Sequence, residues 1–389
     1  MSTAAGPTGR AFAPLSAAPL KLLLTLNAKT CDRLLSETVI MIRTALGLPI
    51  SPNSLTKAWQ SLSASRPTMY ISVILVVNLV VYMYQLRTQS IFACPANLYD
   101  SDHYIADCGA GGYGEYEKGA FWYDLEPSAR AFAKNADVLF VGDSRLQVGF
   151  STAATANWFS AASTRYYLLG FGGLENMVFA GGLLRRIQPK ASVYVMQVDG
   201  FFTRSESPAL KAILHDPEAR HRYEVKRLWQ RVHEPVCRNL PGSCGHNPVR
   251  FRSRETGAYI DPPRKWEHIP VSYDQAINQD AVNSYTDAAI LFLSQVPVKP
   301  SCVILTEVPK TKTKIGNAKA VATALGTNFV APEISEGLGT DDGLHMNRPT
   351  AQRWSQAFFE AAGSKIQSCL EKTRSDTPVE QHLVDPTAH

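Results

Sequence analysis

Apolar and polar positions divide the chain into stretches of different character. Between Arg66 and Arg87 no charged side chain occurs, and the run PTMYISVILVVNLVVYMYQL is about as long as the ~20 apolar residues that a bilayer-spanning helix needs. From Ala136 onward, strand-like apolar runs appear at DVLFVG, RYYLLG, SVYVMQV, SCVILTEV and, more weakly, TNFVA. Helical patterns separate or follow them at 172–186, about 273–295, 316–325 and about 349–371. Near-continuous apolar strands alternating with helices predict an α/β fold with a parallel sheet covered on both faces. Ligands of such sheets bind at the carboxyl ends of the strands.

Two segments fall outside this alternation. Residues 87–135 read as an irregular linker. Residues 203–270 hold thirteen Lys or Arg against eight Asp or Glu, with Tyr223, Trp229, Phe251, Tyr259 and Trp266 interleaved. As an insertion this segment is either a lid or binding wall for a large anionic or sugar-containing substrate, or a solvated subdomain with its own small core. The hexapeptide GAGGYG at 109–114 satisfies GxGxxG, but it follows no strand and opens no apolar helix, so the dinucleotide reading fails its context.

Charge orients the membrane span. The first 66 residues carry seven Lys or Arg and two Asp or Glu, which is the whole formal net charge of +5, and the rest of the 389-residue chain balances at 32 of each. The balanced body lacks the basic footprint of a nucleic-acid binder. The basic N-terminal side stays in the cytoplasm under the positive-inside rule, and everything after Leu86 lies outside it. The expected organisation is a cytoplasmic tail (1–66), a transmembrane helix (67–86), the linker (87–135), an α/β domain (136–372) with the insertion, and a flexible tail (373–389).

Cysteine usage agrees with export. Only Cys31 precedes the span, which leaves an even six, and an even set in an oxidising compartment reads as disulfides. The favoured pairing is Cys94–Cys108, Cys237–Cys244 and Cys302–Cys369. CRNLPGSCGH matches zinc-ligand spacing poorly, and neither a metal nor a cofactor is expected.

Candidate chemistry begins where the first strand of the sheet stops. In ADVLFVGDSRLQVGF the β-formers end at Gly142-Asp143-Ser144. A nucleophilic Ser144 needs a base and an orienter for that base. Far downstream, GTDDGLHMNRPTAQ offers Asp342 and His345 three residues apart on a Gly-containing turn. This spacing lets the carboxylate hold Nδ1–H and leaves Nε2 free. Asp341 is the alternative orienter.

GDS at 142–144 together with DxxH at 342–345 resembles the SGNH/GDSL hydrolase superfamily over about 136–371, the insertion excepted. The resemblance implies a three-layer, flavodoxin-like fold, with Ser144 as nucleophile and as one oxyanion donor through its own N–H. His345 is then the base and Asp342 its orienter. A Gly after the second strand is the next expected donor, and Gly172 and Gly173 are available. Gly173 is preferred because it sits where a helix is predicted to begin; close helix–sheet packing is the competing role. The family's Asn after the third strand is missing, and Asp199 stands nearby instead. An ionised carboxylate cannot donate to an oxyanion, so Asp199 is either protonated, or the orienter of a loop whose backbone donates, or outside a two-donor hole. Arg145 is either a clamp for a substrate carboxylate or phosphate, or half of an ion pair on a helix surface.

These residues imply a membrane-anchored serine esterase or O-acyltransferase outside the cytoplasm. The expected place is the periplasmic side of a Gram-negative-type inner membrane. Its expected partners are an acylated or acyl-accepting glycan and other glycan-modifying proteins of the envelope. The alternative is a non-catalytic glycan-binding or assembly protein on the same scaffold.

Overall fold

The computed structural model describes residues 66–96, 100–108, 116–173, 175–247, 249–260, 265–334 and 336–376. The expected cytoplasmic tail, all but Arg66, therefore lies outside the described residues, as do the GxGxxG hexapeptide and most of the C-terminal tail. Helix α1 (Arg66–Gln89) contains the stretch Tyr70–Thr88, which is long and apolar enough to cross a membrane. Its large side chains, among them Leu75, Leu79 and Tyr84, are exposed. The chain from Leu86 onward forms a separate unit.

That unit is built on a five-stranded parallel sheet. Its strands are β2 (Val138–Asp143), β3 (Tyr166–Phe171), β4 (Val193–Gln197), β8 (Val303–Thr306) and β9 (Asn328–Phe329), in the order β3-β2-β4-β8-β9. They coincide with the five apolar runs of the sequence. Because side chains alternate across a strand, the four longer strands feed two cores. Leu139, Val141, Tyr167, Leu169, Tyr194, Met196 and Leu305 face one core, and Val138, Phe140, Leu168, Val193, Val195 and Ile304 face the other.

Helices close both faces. Over the first core lie α2 (Tyr116–Trp122), α3 (Pro127–Lys134), α6 (Met177–Ile187), α9 (Gln279–Leu293) and α10 (Ile315–Leu325). Over the second lie α4 (Ser144–Phe150), α5 (Ala153–Ala161) and α11 (Arg348–Asp376). The second core is largely aromatic: Phe150 packs edge-on against Phe358 at 4.8 Å and against Trp354 at 5.3 Å. These contacts seat α4, which begins at Ser144, against α11, which begins just after His345.

The segment 87–135 differs from the linker that its sequence suggested. It supplies β1 (Tyr104–Cys108) and helices α2 and α3, with Ile91, Phe92, Ile105, Tyr116 and Phe121 buried. The insertion holds helices α7 (Pro208–His215) and α8 (Ala219–Asn239) and strands β5 (Val249–Ser253), β6 (Tyr259–Ile260) and β7 (Ile269–Pro270). Strand β5 pairs with both β1 and β6, so linker and insertion share one antiparallel sheet. Polar residues at alternate positions had hidden this strand from a search for continuous apolar runs. Strand β7 pairs with β10 (Gly339–Thr340) and carries the end of the insertion to the loop bearing His345. The three expected cysteine pairs are joined, with Cα–Cα distances of 6.1, 5.7 and 5.7 Å, inside the range a disulfide requires.

Candidate active site

Strand β2 ends at Asp143 because the chain turns straight into α4. The Asp143 carboxylate caps that helix, accepting the Arg145 backbone N–H at 2.8 Å. Gly142 makes the reversal possible, since a Cβ there would stand 2.8 Å from the Cβ of Leu146. Ser144 is thus the first residue of α4, where a backbone N–H has no acceptor within the helix.

His345 comes from the loop between β10 and α11. The Thr340 hydroxyl accepts the Gly343 N–H at 3.1 Å, and Gly343 adopts φ 83°, a left-handed conformation that favours glycine. Thr311, in the loop after β8, grips the Gly343 carbonyl with both its N–H (3.0 Å) and its hydroxyl (2.9 Å). Within the loop, Asp342 Oδ1 accepts the backbone N–H groups of Leu344 and His345 at 2.9 and 2.8 Å. Its other oxygen, Oδ2, lies 2.7 Å from His345 Nδ1, and His345 Nε2 lies 2.7 Å from Ser144 Oγ. Partial burial pushes the Asp342 carboxyl up, but these amides and the His345 ring outweigh it and hold the carboxyl below its ordinary value.

Asp341 points elsewhere, its Oδ1 accepting the Glu267 backbone N–H at 3.0 Å. It ties the end of the insertion to the loop, and Asp342 is the carboxylate that meets the His345 ring. The resulting Ser–His–Asp chain can transfer a proton from a hydroxyl to an imidazole whose charge is met by a carboxylate. That is the requirement for an activated serine.

Arg145 and Asp199 lie deeper than expected. Arg145 is 7% exposed, so it is not on a helix surface. Its guanidinium is spent on Asp143 at 2.9 Å and on Asp199 at 3.3 Å, which leaves a poor clamp for a ligand. Asp199 also pairs with Lys310 Nζ. Burial raises the Asp199 carboxyl, yet Lys310 and Arg145 overcome this and hold it below its ordinary value. Asp199 is therefore ionised, and the protonated-donor reading is lost. Beneath it, fully buried Glu307 accepts the Asp199 backbone N–H at 2.9 Å.

Burial pushes Glu307 from an ordinary 4.5 up to about 8, against the opposing pull of Arg145. Between those values the folded chain holds a proton that the unfolded chain has released, so stability falls as pH rises through this window and levels off above it. Glu307→Gln keeps an acceptor for the Asp199 N–H and removes the titration. It is expected to gain stability relative to wild type between pH 5 and pH 9, by a few kcal/mol, as measured by urea unfolding at the two pH values.

Gly172 and Gly173 follow the last residue of β3, Phe171, which is in register with Asp143. They therefore leave the sheet at the same edge at which β2 turns into α4. Gly173 does not open a helix as its sequence context suggested: α6 starts at Met177, capped by Asn176, whose side chain accepts the Val178 N–H. Gly173 lies instead in the preceding turn, at φ 70°.

A cleft of about 360 Å³ opens beside His345. Trp266, Lys265 and Arg250 from the insertion line it together with Arg348, Asp341 and Met346. The insertion thus lines the cleft beside His345, and its buried residues, Leu210, Tyr223 and Phe251 among them, join the first core of the sheet and, among the described residues, form no separate one. Sequence reasoning missed Lys310, Glu307 and Thr311. Their signal was positional, since TEVPKT stands at the carboxyl end of a parallel strand. His233, Cys237 and Cys244 converge within 4.8 Å, but the two sulfurs are bonded to each other and offer no thiolate pair to a metal.

Comparison of the chain with protein-family models, curated proteins and solved structures finds no match.

Proposed function

We propose that this chain is a membrane-anchored serine enzyme of SGNH/GDSL type, an O-acyl esterase or O-acyltransferase acting on a surface or periplasmic glycan. The observation that carries the reading is the hydrogen-bonded chain from Ser144 through His345 to Asp342, with 2.7 Å at each link. It joins the GDS and DGLH motifs at the carboxyl edge of a parallel sheet. Helix α1 is the proposed anchor, with the N-terminus cytoplasmic and the α/β domain on the periplasmic side of the inner membrane. The three disulfides support an oxidising compartment.

In this mechanism His345 Nε2 takes the Ser144 hydroxyl proton as Oγ bonds to the ester carbonyl carbon. The Ser144 N–H, and an N–H from the 172–173 turn, are the proposed donors to the oxyanion. The ester C–O bond then breaks and the leaving alkoxide takes the proton from His345. Water or a sugar hydroxyl, deprotonated by the same imidazole, finally attacks the acyl-serine and restores Ser144. A fluorophosphonate probe tests the reading: wild type is expected to be labelled and Ser144→Ala is not, and a folded wild type that resists labelling overturns it.

The cleft beside His345 is the proposed sugar subsite, because an aromatic wall with charged groups of both signs suits a ring bearing hydroxyls. Trp266→Ala is expected to raise KM for an O-acetylated oligosaccharide roughly tenfold, the equivalent of one lost aromatic contact. Turnover of p-nitrophenyl acetate, too small to need the wall, is expected to stay unchanged in the same steady-state assays. The second reading, a non-catalytic glycan-binding protein, is favoured by one observation: the group near the family's Asn position is an ion-paired carboxylate unable to donate.

A further inference from the structure

Asp199 joins two lines of contact that end at opposite sides of the Ser144–His345 pair. On one side its carboxylate meets the Arg145 guanidinium at 3.3 Å, and its carbonyl accepts a further bond from Arg145 Nη2. Arg145 is the neighbour of Ser144 in the chain and is fixed to Asp143, the cap of α4, by Nε at 3.1 Å and Nη2 at 2.9 Å. On the other side the same carboxylate pairs with Lys310 Nζ. The Lys310 N–H donates to the Thr313 hydroxyl at 2.9 Å, and the next residue, Thr311, holds the carbonyl of Gly343. Gly343 directly follows Asp342. The Asp199 backbone is itself fixed by its N–H to Glu307 on the adjoining strand-end loop.

We propose that Asp199 is a positioning residue, a charged brace that holds the turn bearing Ser144 and the loop bearing His345 at their reacting distance, and not an oxyanion donor. The proposal rests on the serine-enzyme reading above, since it assigns Asp199 a role within that site. A carboxylate suits the task because it accepts from two cations at once, and charge-assisted bonds of this kind are shorter and stronger than neutral ones. Two loops set by one side chain need no direct contact with each other. Displacing a reacting group by about 1 Å can cost on the order of 10²-fold in rate, which sets the scale of the effect.

Asp199→Asn separates the alternatives by sign. If the position served the oxyanion, an amide would supply a missing donor and kcat would rise. As a brace, the amide loses its charge for both Arg145 and Lys310, and kcat for p-nitrophenyl acetate is expected to fall about 10²-fold with KM little changed. Asp199→Glu, which keeps the charge, is expected to recover part of that loss. Lys310→Met is expected to lower kcat in the same direction, and the double variant should lose less than the product of the two single losses because both break one contact. Lys310→Met also keeps the test alive should Asp199→Asn fail to fold. Asp199→Asn or Lys310→Met as fast as wild type, or faster, would overturn the brace while leaving the serine enzyme standing. A folded wild type that neither labels with fluorophosphonate nor cleaves the ester would overturn both.

Discussion

Ser144→Ala is expected to lower kcat/KM for p-nitrophenyl acetate by about 10⁴-fold or more while leaving the fold in place. Triads lose activity on this scale when the nucleophile or base is removed, because nothing else in the site can form the acyl intermediate. The Ser144 hydroxyl bonds to His345, which is itself partly exposed, so its removal strands no buried group and Tm should change little. His345→Ala is expected to cost about as much, and the double variant no more than either single change, since the two side chains act as one unit. Parallel kinetics on the three variants, with thermal melts as the control for folding, test this directly.

Arg252→Ala is expected to destabilise the domain by about 3–5 kcal/mol, the usual consequence of removing one partner from a buried ion pair. Arg252 is fully buried on β5, and its Nη1 meets Glu117 of α2 at 3.0 Å. It also donates to the carbonyls of Leu168 (2.6 Å) and Gly170 (3.1 Å) on β3, and stands 4.4 Å over the Phe171 ring. One side chain therefore joins the insertion, the segment before the sheet and the sheet itself. Its loss leaves the Glu117 charge and two carbonyls without this donor, and a fall in Tm on the order of 10 °C follows for a domain of this size. Replacing both partners, Arg252→Met with Glu117→Gln, should recover much of the loss, because the stranded charge is then absent. Urea unfolding of the single and double variants measures both terms.

Legibility in the sequence followed the length of the signal. Four of the sheet strands were visible because each is buried on both faces and written in consecutive apolar residues, VLFV and YYLL among them, while the short, half-buried β9 gave the weakest run. Ser144, Asp342 and His345 were visible because their chemistry is compressed into short motifs. Strand β5 was not, since VRFRS alternates apolar residues with arginines, and the buried Arg252 is matched by Glu117, 135 residues away, and by carbonyls of β3. The brace at Asp199 was hidden for the same reason, its partners Arg145 and Lys310 being 54 and 111 residues distant. The expected helix start at Gly173 failed by four residues because Asn176, a better cap than glycine, takes that place.

The antiparallel sheet shared by β1 and β5 also decides where this protein can be cut. A fragment starting at Ala136 would keep the whole parallel sheet and Ser144, Asp342 and His345, yet it would lose β1, Cys94, Cys108 and the Glu117 partner of Arg252, and should be recovered as insoluble material. A fragment beginning at Leu86 keeps every one of these contacts, so that β5 still has its neighbour, Arg252 its counter-charge and Cys108 its partner.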